Sequence, residues 1–241
     1  SRPDAVASHL RLAKFLRLRY TPTMRAAWLT DIHLNFLTAD ARQTYYRSVG
    51  AQAPDVVLLT GDISEAPFLH EHLAELADAL RCPVYFVLGN HDFYGDSIAA
   101  VRARLSPFCA THPSLSYLNA CGVVPLTPNT ALLGHDGWGD ARLGDYWHSP
   151  IRLNDDRCIH DLVGLDAHAR LATLHRLGEE AAQHLGRVLR EAVAHFPHIL
   201  LVTHVPPFHE ACWYQGQMSD KHWLPFFCCG ALGSRPRMSS L

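Results

Sequence analysis

The chain has 241 residues, 48% of them hydrophobic and 18% charged, which is enough apolar material for a full-sized core in a single α/β domain. A formal charge of −2 and a pI near 6.8 exclude the overall basic field that drives non-specific nucleic-acid or membrane-surface binding. No run of 18 apolar residues is present, so no membrane-spanning helix is expected. The seven cysteines are scattered without Cys-x-x-Cys spacing, which points to reduced thiols and a cytoplasmic setting; adjacent Cys228 and Cys229 read as semi-buried thiols.

Residues 1–23 read as an N-terminal extension, either disordered or a short basic helix, with Arg2, Arg11, Lys14, Arg17 and Arg19 against Asp4. A strand-like run at Ala26–Leu29 follows, then a helical pattern over Ala39–Gln52 and a second strand at Val56–Leu59. Ser64 is a candidate N-cap for an amphipathic helix with Leu69, Leu73, Leu76 and Leu80 on one face. A third strand spans Val84–Leu88. The order β-α-β-α-β predicts right-handed crossovers between neighbouring parallel strands. Ser106–Asp161 is rich in Pro, Gly and Asn and reads as a long loop region with one strand-like piece, Thr130–Leu133. Asp166–His195 predicts one or two long helices, with a break near Gly178, before a strand at Ile199–Val202.

Four of these strands end in polar clusters: Thr30-Asp31-Ile32-His33, Thr60-Gly61-Asp62, Gly89-Asn90-His91-Asp92 and Thr203-His204. In an open α/β sheet, ligands gather outside the carboxyl ends of the strands, so the clusters are expected to converge. Alternation along an extended segment would place Asp31 and His33 on one face, able to hold one ion together. Asp62 adds a carboxylate that can bridge two cations. Asn90 offers a carbonyl oxygen and His204 an imidazole nitrogen, a donor set suited to Mn, Fe, Zn or Co rather than Ca. His91, beside a ligand but free of the metal, is placed to protonate a leaving oxygen. Asp92 reads as a cap for the following helix or as a residue that orients a neighbour. His135, Asp136 and Arg142 are candidate substrate-binding residues; for Asp140 and Arg142 an ordinary solvated ion pair is the competing reading.

In this order the motifs Asp31-x-His33, Gly61-Asp62, Gly89-Asn90-His91-Asp92 and Thr203-His204 resemble the calcineurin-like metallophosphoesterase family. The resemblance implies a four-layered α/β/β/α sandwich of two mixed sheets. It also implies two divalent ions, manganese among the candidates, with Asp31, His33 and Asp62 at one, Asp62, Asn90 and His204 at the other, and His91 as the catalytic histidine. The implied activity is hydrolysis of a phosphomonoester or phosphodiester by a metal-activated hydroxide. The corresponding organisation is an extension over 1–23, a phosphoesterase domain over 24–229 and a polar tail over 230–241.

Members of the family also resemble one another in a late Gly-His-x-His cluster, which no segment after His204 matches. A truncated or frame-shifted C-terminus is therefore expected, and with it an alternative function: a catalytically impaired relative acting only in binding. A nucleic-acid partner is not expected, because the basic N-terminal residues are interleaved with aromatics only at Phe15 and Tyr20. The expected partner is a phosphorylated substrate.

Overall fold

The computed structural model describes residues 14–18 and 24–234. The chain divides into two compact units, Ser1–Ala120 and Cys121–Leu241. The fold class is α/β, and each unit carries a mixed sheet.

In the first unit five strands lie in the order β1-β2-β3-β4-β5: Lys14–Leu18, Met24–Leu29, Val56–Thr60, Val84–Val87 and Leu115–Tyr117. β2 to β5 are parallel, with Ala26 opposite Val56, Val57 opposite Val84, and Val84 opposite Leu115. β3 is buried at all five positions, so its sequence reads as an unbroken apolar run rather than an alternating one. The crossover helices are α1 (Ala39–Gly50) and α2 (Leu69–Leu80), followed by α3 (Ile98–Ala110). Thr38 caps α1 by accepting from the Ala41 N–H. Leu69, Leu73 and Leu76 of α2 are fully buried, as their spacing predicts.

Three expectations change, the third of them extending into the second unit. Ser64 does not cap α2, which starts five residues later: Pro67 disfavours the helical conformation at Ala66, and the Ser64 hydroxyl instead meets Nδ1 of His72 at 2.8 Å. Within the predicted extension, Lys14–Leu18 pairs antiparallel with β2, whose edge would otherwise present an unpaired row of N–H and C=O groups. The rest of 1–23 lies outside the described residues. The third concerns the expected loop over Ser106–Asp161, which begins inside α3 and contains β5, β6 (Val124–Thr127), β7 (Thr130–Gly134) and a short α4 (Asp155–Cys158).

In the second unit β6 pairs antiparallel with β7, and β7 pairs parallel with β8 (His198–Val202) in the register Leu132 to Leu200. The long crossover includes α5, which runs unbroken from Ala167 to Val193. The Asp166 carboxylate caps it by accepting from the Ala169 N–H at 2.9 Å. Gly178 does not interrupt the helix; it is required because a Cβ there would lie 2.5 Å from the Cβ of Asp140. Leu174, Leu177, Ala181, Leu185 and Val188 form the buried stripe. β9 (Trp213–Tyr214) and β10 (Gln217–Met218) form a hairpin whose two turn residues both have positive φ.

The chain after β10 continues through α6 (Leu224–Phe227) to α7 (Gly230–Gly233). Residues 230–233 are therefore not part of a polar tail. Ala231 and Leu232 are buried in one apolar cluster with Ala181, Leu185 and Val188 of α5, and Cys229 is fully buried there as well. Residues 235–241 lie outside the described residues.

Candidate metal centre

The loops that follow β2, β3 and β4 carry the predicted donors of the first unit. β2 ends at Leu29, so Asp31 and His33 do not share a face through strand alternation as expected. Both residues sit in the left-handed region, with φ of 52° and 40°, and Asp62 does likewise at 52°. Three non-glycine residues in this sparsely populated conformation, within two adjacent loops, are the kind of local strain that clusters at functional sites. The loops hold each other through backbone bonds, from Asp31 N–H to Gly61 O at 3.1 Å, His33 N–H to Asp62 O at 3.0 Å, and Leu34 N–H to Ile63 O at 2.8 Å.

The side chains converge on Asp62, which is only 5% exposed. Nε2 of His33 is 3.8 Å and Nε2 of His91 is 4.0 Å from its Oδ2. One donor atom from each of His33, Asp62 and His91 lies within 4.8 Å of the others, and a carboxylate oxygen of Asp31 is equally close to one of Asp62. The His91 N–H donates to Oδ1 of Asp62 at 3.0 Å, so the carboxylate is oriented by the next loop. Nδ1 of His91 is buried with no hydrogen-bond partner among the described residues. Two imidazoles around partly buried carboxylates form a nitrogen and oxygen set that fits a borderline divalent cation such as Mn, Fe, Zn or Co. Distance to Asp62 does not separate the two histidines, so a ligand role for one and a proton-transfer role for the other rest on the motif.

Three further residues shape this centre, of which only Asp92 carries an expected role from sequence, as a cap or as a residue that orients a neighbour. Thr30 Oγ1 donates to Oδ2 of Asp31 at 2.6 Å and fixes that carboxylate. The Tyr94 ring stacks on His91 with centroids 4.3 Å apart, and its hydroxyl accepts from the Asn90 amide nitrogen at 3.5 Å. Asp92 is completely buried and caps no helix; the cap of α3 is Ser97. Its carboxylate accepts from the Ile63, Ser64 and Gly89 N–H groups at 2.9, 2.8 and 2.8 Å. Tyr94 is legible only as three residues beyond His91, whereas for Asp92 the cap reading fails and its bonds to the neighbouring loops agree with the orienting one.

The second unit brings His135, Asp136 and His204 together at the carboxyl ends of β7 and β8. The His135 N–H donates to Val202 O and the His204 N–H to Asp136 O, each at 3.1 Å. His135 and Asp136 are buried, and Nδ1 of His135 accepts from the Gly137 N–H at 3.1 Å, which fixes the ring with its proton on Nε2. Arg142 makes its ion pairs with Asp140 and with α5. Its guanidinium pairs with Asp140 at 2.9 Å and Glu179 at 2.8 Å, and Asp140 is completely buried, so neither half of the predicted solvated pair is an ordinary surface group.

Parallel strands ending in loops that gather carboxylates and imidazoles define an α/β protein with a candidate metal centre. The chain belongs to the calcineurin-like phosphoesterase family, whose profile matches residues 24–227. It is 31% identical over 168 residues to a probable cyclic nucleotide phosphodiesterase from Synechococcus sp., a match covering 64% of this chain and 58% of that protein. In fold it is similar to a phosphopantetheinyl hydrolase from Mycobacterium tuberculosis, with a TM-score of 0.57 and 14% identity over 84% of this chain and 74% of that one.

Proposed function

We propose that this protein is a metal-dependent phosphoesterase acting on phosphodiesters, with a cyclic nucleotide as the substrate class to test first. The observation that carries the reading is the grouping of His33, Asp62 and His91 donor atoms within 4.8 Å, on loops following adjacent parallel strands. Asp31, His33 and Asp62 would hold one divalent ion. Asp62 and Asn90 would contribute to a second, for which His204 is assigned by its motif. Bound there, the ions supply Lewis acidity toward a phosphoryl oxygen and toward water.

The chain's own residues do the rest. The His91 N–H and the neighbouring loop orient the Asp62 carboxylate before any ligand arrives. Thr30 holds Asp31, and Tyr94 holds both the Asn90 amide and the His91 ring. His91 donates the proton that the leaving oxygen needs as its bond to phosphorus breaks. The relative's name supports the substrate class, and the family supports phosphoester hydrolysis. The test is Mn²⁺-dependent hydrolysis of bis(p-nitrophenyl) phosphate and of cyclic AMP by this chain beside Asp62→Asn. Turnover by the parent that chelator removes and the substitution abolishes is expected. Mn²⁺ binding without turnover of either compound would favour a role in binding alone.

A further inference from the structure

We infer that Asp92 is a positioning residue that sets the metal centre before any ion binds, an inference that rests on the metal-dependent reading above. The donors of the first unit come from separate loops: Asp62 follows β3, while Asn90 and His91 follow β4. Nothing in covalent structure fixes the spacing of those loops, which are 28 residues apart. The Asp92 carboxylate does so directly. Its Oδ1 accepts the N–H groups of Ile63 and Ser64, the two residues after Asp62, and its Oδ2 accepts the N–H of Gly89, the residue before Asn90.

The arrangement uses charge as well as geometry. A buried backbone N–H without an acceptor costs about 1–3 kcal/mol, and one carboxylate here satisfies three such groups. Hydrogen bonds to an ionised acceptor are the stronger kind. Asp92 has no exposure, so water cannot take its place. It also lies beside a contact that joins the loops at the donors themselves, from the His91 N–H to Oδ1 of Asp62. The Ser64 hydroxyl extends the brace to α2 through His72. Asp92 therefore acts on the centre through Asp62, Asn90 and His91.

Asp92→Asn tests this by keeping the shape while replacing one acceptor oxygen with an N–H₂ group, which must then face at least one of the three backbone donors. Mn²⁺ affinity is measured by calorimetry on the full chain, well below the melting temperature, with Val101→Ala as a comparison. Val101 is buried in α3 of the same unit and is distant in sequence from every donor. The expected result is roughly 10–100-fold weaker Mn²⁺ binding in Asp92→Asn, with Val101→Ala unchanged although it too is destabilised. Equal affinity in Asp92→Asn and the parent would overturn the inference alone; absence of Mn²⁺ binding by the parent would overturn the metal-dependent reading with it. Amide exchange of the parent gives a test that needs no variant. The Ile63, Ser64 and Gly89 amides are expected to be protected before Mn²⁺ is added, and protection that appears only with the ion would also overturn the inference.

Discussion

Replacing Asp140 with Asn should destabilise the second unit by about 3–5 kcal/mol. The completely buried carboxylate receives four N–H donors, the Arg142 and Gly230 N–H groups at Oδ1, 3.2 and 2.8 Å away, and Arg142 Nη1 and the Ala231 N–H at Oδ2, 2.9 and 2.7 Å away, besides the weaker Cys229 thiol at 4.0 Å from Oδ2. Asn offers a single acceptor oxygen, so in either orientation of the amide two of the four donors face an N–H₂ group. Two buried donors left unsatisfied cost about 2–6 kcal/mol, and removing one partner of a buried ion pair costs about 3–5 kcal/mol. The Arg142 side chain is 28% exposed and can recover some hydration, which favours the lower part of that range. Relief by movement is blocked on one side, where the Asp140 side chain is packed against Gly178 of α5. Trp138, Trp147, Trp213 and Trp223 lie in the second unit and only Trp28 in the first, so tryptophan fluorescence in urea reports mainly on the unit affected. With a slope of about 1.5 kcal/mol per M, the midpoint should fall by about 2–3 M. A loss below about 1 kcal/mol would refute the claim that this carboxylate fastens α7 to the fold.

Burial, aided by Arg42, holds the pKa of His72 below its ordinary value. The unfolded chain then binds the extra proton first, so this contribution to stability is complete above about pH 6.5 and declines as pH falls below it, by at most about 1.4 kcal/mol per pH unit. Melting curves from pH 7.5 to 5.0 should show a shallower acid decline in His72→Asn than in the parent, and equal declines would contradict the assignment. Burial also pushes the Cys228 thiol up to about 12 and the Cys229 thiol up to about 11. Since the thiolate is the reactive form, both should resist a thiol-specific disulfide reagent at pH 8 until denaturant is added. Labelling of either at the rate of a free thiol, mapped by mass spectrometry in the folded protein, would show that they are not enclosed.

The parts of the fold that sequence makes visible are those whose chemistry is local. β3 shows itself because a strand covered on both faces must be apolar at every position, and α2 because Leu69, Leu73 and Leu76 repeat at the helical period. The candidate donors Asp31, His33, Asp62, Asn90 and His91 are legible because each follows a strand-like apolar run. The remainder depends on partners far away in the chain. β5 has three residues and β6 four, too few to establish a period, and β1 exists only against the edge of β2. Residues 230–233 look like a tail because four residues carry no pattern, yet α5 supplies the apolar surface that buries Ala231 and Leu232. The left-handed backbone at Asp31 and His33 is invisible to an argument from alternation, since it arises where the loops after β2 and β3 bond to each other. Asp92 resembles a cap on local grounds, and its partners Ile63 and Ser64 lie almost 30 residues earlier.

The most direct test of the central claim is Mn²⁺ titration of this chain and of Asp62→Asn, with bis(p-nitrophenyl) phosphate hydrolysis followed in the same samples. The account predicts that the parent binds the ion and turns over substrate, and that loss of the shared carboxylate removes both together while the melting temperature stays within a few degrees. Binding and turnover that survive in Asp62→Asn would contradict it, because the donors of three loops would then not be meeting at that residue.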